Sequence, residues 1–206
     1  MPRIAGPAAL ALASLNPEQV SFVRNLPKAE LHAHLNGCVP IETLLVLAGN
    51  YQHDVTSGED DVVRRGLDVL NEGVKLEKID DFFGLFPAIY QLTSTPAILK
   101  LVTADVLRMF LDEHEVDGVI IPPECAYLEL RTTPRESPHM NRKEYIEAVL
   151  VEVERYPPER AALIICVDRR MSTTDAERCV DIAIQLKAEG RRVVGIDLCG
   201  TPTVSC

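Results

Sequence analysis

Residues Leu26–Val39 read LPKAELHAHLNGCV, an apolar, strand-like run that ends in His32-Ala33-His34 and breaks at Asn36-Gly37. Alternate side chains of a strand share a face, so His32 and His34 project the same way, about 6.6 Å apart along the backbone. Two imidazoles so placed can grip one metal ion from a single rigid element. They do not complete a site, because catalytic zinc ordinarily takes three protein ligands and keeps a position open for water. The plain alternative is a polar strand edge. Against it, Leu31, Ala33 and Leu35 set an alternation in which the histidines replace apolar residues on one face. The Asn-Gly break then falls where a strand leaves a sheet.

The 206 residues are 47% hydrophobic and 25% charged, the make-up of one large soluble domain or part of one. No apolar run approaches the roughly 20 residues that cross a bilayer, so no membrane partner is expected. The start, MPRIAGPAALALASL, is a poor signal peptide: its apolar run is rich in small residues and flows into Asn16-Pro17-Glu18, a helix start. Residues 1–25 read as a frayed N-terminal extension of a cytoplasmic protein. A net charge of −10 weighs against a nucleic-acid surface, and an anionic ligand needs a local cationic pocket. The cysteines Cys38, Cys125, Cys166, Cys179, Cys199 and Cys206 are scattered, with no pair at two-residue metal spacing, which suits a reducing compartment. Cys166 and Cys199, lying in apolar runs, read as small core residues.

Along the chain, Pro40–Asn50 reads as a short helix, and Tyr51–Lys78 as a polar insertion or lid with a helix near Asp60–Asn71. Asp80–Gln91 reads as one aromatic helix whose Phe82, Phe83 and Phe86 pack into the core. Ser94 caps a helix over Thr95–His114 with Leu99, Val102, Val106 and Phe110 on one face. Val116–Glu124 fits neither helix nor central strand because of Gly118 and Pro122-Pro123. Ala126–Arg131 is a strand leading into Thr132-Thr133-Pro134-Arg135, and Arg142–Arg155 a helix. Ala162–Val167 is a buried strand ending at Asp168, Asp175–Glu189 a helix with Ile182, Ala183 and Leu186 inward, and Arg192–Leu198 another buried strand ending at Cys199-Gly200. No internal repeat is present.

Strands alternate with helices and are nearly continuous apolar runs, the mark of parallel strands buried on both faces. Each strand delivers polar residues at its C-terminal end: His32 and His34, Thr132 to Arg135, Asp168, then Asp197 and Gly200. That is how a TIM (β/α)8 barrel assembles its active site. An open doubly wound sheet also gathers ligands at strand ends, but no glycine-rich phosphate loop accompanies these strands. Four of eight strands are visible, so the chain reads as about the first half of an α/β barrel, residues 26–206.

Several stretches together, LPKAELHAHLNG, IYQLTSTP, YLELRTTPR, VDRR and GIDLCGTPTV, resemble the adenosine/AMP deaminase family of metal-dependent hydrolases, in particular its adenosine deaminase-like branch. The motifs run in family order over nearly the whole chain. The resemblance implies a zinc-dependent aminohydrolase acting on C–N bonds of 6-substituted purine nucleotides, such as N(6)-methyl-AMP to IMP and methylamine. It implies one Zn2+ per complete subunit, with His32 and His34 as ligands, and a monomer at full length. His34, Asn36, Tyr90, Thr132, Thr133, Pro134, Arg135, Asp168 and Gly200 fall on substrate-contact positions. Asn36 stands where nucleoside-specific adenosine deaminases carry an aspartate, and a neutral amide does not repel a 5′-phosphate. Hydroxyls and a guanidinium at Thr132–Arg135 suit that phosphate. Tyr90 stands where the branch carries a histidine, and Val119–Glu124 reads as an insertion before the second strand. The family's third zinc histidine, catalytic glutamate and paired aspartates match nothing here; no catalytic residue is assigned within this chain, and they are expected beyond Cys206. Arg135 as a solvated loop charge, Asp168 as a helix N-cap and Gly200 as a simple turn stay open. Asp197 is read as supporting its strand end, and Arg169, Arg170, Arg191 and Arg192 as surface charge. Adenosine deaminase proper, or a non-catalytic product lacking the missing ligands, are the rival functions. Zinc deaminases using His-x-Glu with Pro-Cys-x-x-Cys are set aside, since neither signature occurs.

Overall fold

A computed structural model describes residues 6–51, 61–73, 79–116 and 118–200. The elements run α1 (Gly6–Ala13), α2 (Pro17–Asn25), β1 (Ala29–His34), a 3-10 turn (Leu35–Gly37), α3 (Ile41–Gly49), α4 (Asp61–Glu72), α5 (Ile79–Phe83) and α6 (Phe86–Leu92). They continue with α7 (Pro96–Leu111), β2 (His114–Val116), β3 (Val119–Ile121), β4 (Tyr127–Thr132), α8 (Arg142–Val153), β5 (Ala161–Asp168), α9 (Thr173–Ala188) and β6 (Val193–Cys199). The Asp60 start of the predicted helix, the stretch 52–59, Lys78 and Thr201–Val204 lie outside the described residues. No helix among the described residues is long and apolar enough to cross a membrane.

Four strands form a parallel sheet in the order β1-β4-β5-β6. Strands neighbouring in space thus follow one another in the chain, separated by helices. This is the arrangement of a partial (β/α)8 barrel. β5 sits centrally, and Ala161 to Cys166 are all buried, each large apolar side chain there contributing about 1.5–3 kcal/mol. α7 packs on α8, α8 on β5, and α9 on β5 and β6. α4 lies close on α6, where a Cβ on Gly66 would come within 2.7 Å of Ala88 Cβ. Capping fixes the helix starts: Asn16 and Asn141 form capping boxes with Gln19 and Glu144, and Ser172 accepts from Asp175 N.

Several expectations are corrected. The aromatic segment is two helices, because Pro87 at the start of α6 lacks an N–H and follows a turn at Gly84-Leu85. α7 is capped by Thr95, not Ser94, and ends at Leu111, so that His114 enters a strand. The segment around Gly118 is an antiparallel hairpin of β2 and β3 outside the main sheet. Gly118 has φ +77°, a left-handed conformation that glycine adopts freely. β6 is not buried. It is an edge strand, and Val194, Ile196 and Leu198 are exposed because no described helix covers that face. The N-terminal segment is helical in α1 and α2, with side chains largely exposed.

Two of the four arginines read as surface charge are structural. Arg191 Nε lies 3.0 Å from both carboxylate oxygens of Glu154. Arg192 donates to the carbonyls of Val153, Tyr156 and Ala161, satisfying groups left open where α8 ends. Arg170 belongs to the site.

Candidate metal centre and nucleotide cleft

The β1–β4 register slips between Glu30 and Ala33, which takes Leu31 and His32 out of regular ladder pairing. The freed groups find side chains instead: His32 N donates to Glu30 Oε1 at 2.7 Å, and Leu31 O accepts from Arg131 Nη2 at 2.7 Å and Nε at 3.1 Å. Leu31 is consequently exposed, whereas Ala33 and Leu35 are buried. The rings of His32 and His34 sit with centroids 5.4 Å apart. Burial above all, then the neighbouring His32, holds the His34 imidazole below its ordinary value, so it is neutral and free to ligate at neutral pH.

Asp197, on β6, reaches into this centre. Ligand atoms of His32, His34 and Asp197 all lie within 4.8 Å of one another, a nitrogen-nitrogen-oxygen set that fits zinc. Arg131 Nη1 pairs with Asp197 Oδ2 at 2.9 Å. Burial pushes the Asp197 carboxyl upward, but Arg131 outweighs it and the net shift is downward. The reading of Asp197 as a strand-end support is thus too narrow.

The thiols also face the site. Cys166 Sγ is 3.7 Å from Asp197 Oδ2 and 4.0 Å from His34 Nδ1, and Cys199 Sγ is 3.3 Å from Thr133 Oγ1. Hydrogen bonds from Cys166 and from Thr133 bring the Cys199 thiol down to about 7. Cys166 is fully buried, but Cys199 is half-buried and lines the cleft, so the core reading holds only for the former.

Behind the histidines lies a buried polar chain. Asn36 Nδ2 donates to Thr93 Oγ1 at 3.4 Å, Thr93 Oγ1 donates to Ile89 O at 2.8 Å, Tyr145 OH donates to Asn36 Oδ1 at 3.2 Å, and Thr132 Oγ1 lies 2.9 Å from Tyr145 OH. Asn36 and Thr132 are therefore anchored by α8 and α6.

Thr132-Thr133-Pro134-Arg135 leaves β4 as the cleft's floor and rim. Arg142 Nη1 donates to Pro134 O at 2.8 Å and holds the loop down. The Arg135 guanidinium lies 3.5 Å over the centroid of the Tyr90 ring. Four arginines line the cleft. Arg131 is spent on Asp197, Arg142 on Asp175, and Arg170 on Asp168; among the described residues no carboxylate pairs with Arg135.

Asp168 does not cap α9, whose N-cap is Ser172. Its Oδ1 accepts from Arg170 N and Nε, each at 2.9 Å, and Oδ2 from Arg170 Nη2 at 2.7 Å. Gly200, at φ +100°, sits against it; a Cβ there would meet Asp168 Oδ1 at 2.9 Å. The Arg170 hydrogen bonds hold the Asp168 carboxyl below the usual range, overcoming the opposite push of burial. A carboxyl depressed on folding contributes stability above its unfolded value of about 3.9, and that contribution is lost as pH falls through the folded value. Arg170→Gln, which removes a side chain that is 60% exposed, is expected to cost about 0.2–1 kcal/mol at neutral pH. Urea melts across a pH series should show the gap closing below that unfolded value; a gap independent of pH would refute the assignment.

These features line one cleft of about 1250 Å3. His34, Asn36, Tyr90, Thr132, Thr133, Pro134, Arg135, Asp168 and Gly200 all border it; His32 flanks it beside His34. Phe82, Phe83 and Phe86, expected in the core, instead form its aromatic wall, with Phe83 58% exposed. Sequence reasoning passed over Arg131 and Tyr145, and gave Cys166, Asp197 and Arg170 other roles. The alternation that puts His32 and His34 on one face would have flagged Glu129 and Arg131 on the next strand; nothing local in the sequence flags Tyr145.

No protein-family profile matches the chain. Human N6-methyl-AMP deaminase is 35% identical over 91% of this chain and 50% of its own length. The Drosophila melanogaster adenosine deaminase-like protein is 31% identical over 88% of this chain and 50% of its own length. The crystal structure of Arabidopsis ADAL complexed with IMP superposes with a TM-score of 0.64 at 29% identity, covering 90% of this chain and 53% of that one. In sequence and in fold this chain is a relative of the adenosine deaminase-like proteins and N6-methyl-AMP deaminases, spanning about half the length of the curated relatives it matches.

Proposed function

We propose that the cleft is the metal and nucleotide half-site of a zinc-dependent deaminase that converts N(6)-methyl-AMP to IMP and methylamine, in a cytoplasmic protein monomeric at full length. Residues 26–206 act as part of the barrel and residues 1–25 as an extension. The relatives' activity and the IMP in the Arabidopsis neighbour support this reading. The observation that carries it is Arg135: in a chain of charge −10, it is the cleft arginine in no ion pair with a described carboxylate, and it lies 3.5 Å over the centroid of the Tyr90 ring. A planar guanidinium fixed on a ring is pre-organised for a phosphate.

His32, His34 and Asp197 would hold the zinc ion, which supplies Lewis acidity for activating water toward purine carbon 6. Burial keeps His34 neutral, and Arg131 keeps Asp197 ionised and oriented. Asn36, turned by Tyr145 and Thr93, presents a neutral amide rather than a second anion beside the phosphate. Asp168, clamped by Arg170, and the backbone at Gly200 offer an acceptor and a close approach for the purine edge. The proton donor to the ring nitrogen is assigned to no described residue. A second reading, nucleotide binding without turnover, draws on the chain spanning half of its relatives.

Calorimetry with IMP and inosine tests the phosphate assignment, and turnover of N(6)-methyl-AMP separates the two readings. IMP is expected to bind tighter, with Arg135→Ala removing about 1.5–3 kcal/mol from IMP and little from inosine. Equal affinities for the two ligands, or an unchanged IMP affinity in the variant, would exclude Arg135 as the phosphate contact.

A further inference from the structure

Arg135 stands on a loop, so the place it offers a phosphate depends on what fixes that loop. The ring of Pro134 locks its own φ, and the Pro134 carbonyl belongs to the planar peptide that leads into Arg135. That carbonyl accepts from Arg142 Nη1 at 2.8 Å, which leaves the peptide little freedom to rotate. Farther on, Ser137 Oγ donates to Ser94 O at 2.6 Å and Ser137 N to Met140 O at 3.0 Å, closing the loop before α8.

Arg142 is itself held. It opens α8, its side chain is 14% exposed, and its Nη2 lies 3.1 Å from Asp175 Oδ1. Asp175 stands in the first turn of α9, outside the residues that line the cleft. Hydrogen bonds from Ser172 and then from Arg142 keep its carboxyl below the ordinary value, so it is ionised at neutral pH. Arg142 Nε is buried without a hydrogen-bond partner among the described residues, 4.0 Å from Glu136 Oε1. The guanidinium therefore works through its two Nη groups, one on the loop and one on α9. A lysine ammonium on its flexible stem does not reproduce that fork.

We infer that Arg142 and Asp175 are positioning residues for the phosphate contact: the relay from Asp175 through Arg142 to the Pro134 carbonyl sets where Arg135 presents its guanidinium, and with it the preference for a nucleoside monophosphate over a nucleoside. This rests on the reading of Arg135 as the phosphate contact. Arg142 borders the cleft, but its paired groups are spent on Pro134 and Asp175, so Arg135 touches the anion and Arg142 acts through it. A plain charge effect differs in sign. Removing Asp175 takes a negative charge from the neighbourhood of an anionic ligand, which by Coulomb attraction alone tightens binding. Loosening the relay weakens it.

The test is calorimetry with IMP and inosine on Arg142→Lys, Asp175→Ala and Arg178→Ala. Arg142→Lys keeps the charge and is expected to weaken IMP about tenfold, and Asp175→Ala about threefold, with inosine changed by less than about twofold in either. Arg178, 62% exposed, meets the same carboxylate at 3.8 Å from within α9, and Arg178→Ala should bind IMP as the unmodified chain does. Should Arg142→Lys fold poorly by circular dichroism, Asp175→Ala decides by its sign. IMP held unchanged by Arg142→Lys, held unchanged or tighter by Asp175→Ala, or lost to the same extent as inosine overturns the relay, as does an equal loss in Arg178→Ala. Each of those results leaves Arg135, tested by Arg135→Ala, standing as the phosphate contact. IMP and inosine bound equally by the unmodified chain overturns the phosphate reading and the relay with it.

Discussion

Replacing Tyr145 with alanine should lower the unfolding free energy by about 3–5 kcal/mol, the range for emptying a large aromatic site in a packed core. The ring is 1% exposed, in α8 against the sheet, and burial drives its hydroxyl pKa up to about 12. The hydroxyl therefore stays protonated and serves as a hinge of hydrogen bonds between Thr132 and Asn36. Tyr145→Phe separates the two contributions. It keeps the packing but leaves buried groups on Asn36 and Thr132 without a partner, for about 1–3 kcal/mol. Urea melts of both variants, with unchanged m-values, check the pair. A Tyr145→Phe cost near zero would mean the buried chain does not hold Asn36. The same chain favours the amide at position 36: Thr93 already gives its hydrogen to Ile89 O, so it meets Asn36 Nδ2 as an acceptor. Asn36→Asp would set a carboxylate oxygen against that lone pair.

Replacing His34 with alanine should weaken zinc binding by more than the roughly 10–100-fold that loss of an outer-shell partner costs. The half-buried imidazole lies within ligand reach of His32 and Asp197 and faces the Cys166 sulfur. Its metal-free stability should shift by only about 1 kcal/mol, since no hydrogen-bond network depends on it. Equilibrium dialysis against zinc, with bound metal per chain measured by mass spectrometry, gives the number. His114→Ala, in the separate β2–β3 hairpin, is the control and should bind as the unmodified chain does. If His34→Ala retained zinc at that same level, the histidine pair would not be the metal site.

Much of this was legible in residue order. Period-two alternation placed His32 and His34 on one face, apolar runs marked β4 and β5, and Asn-Gly, Pro and Gly punctuated the element ends, because each signal is local to a few residues. Polar residues at successive strand ends pointed to a barrel mouth, and the cleft borders seven of those nine residues, His32 and Asp197 excepted.

What failed to show were properties of neighbours distant in the chain. The same valine, isoleucine and leucine pattern serves a central strand and an edge, so β6 read as buried until its place in the sheet was known. Phe82 and Phe86 read as core because their spacing suits any apolar surface, a pocket wall included. Arg131 and Asp197 meet across the barrel interior from β4 and β6, and Cys166 approaches them from β5 between. Sequence by itself determined the strands of the main sheet, their order and the strand that carries the paired histidines, since backbone propensity and side-chain alternation act over a few residues. Only the tertiary structure decided the donor set, the anchoring of Asn36 by Tyr145 and which arginine stays unpaired by carboxylate, since charge pairing and burial depend on strand register and packing.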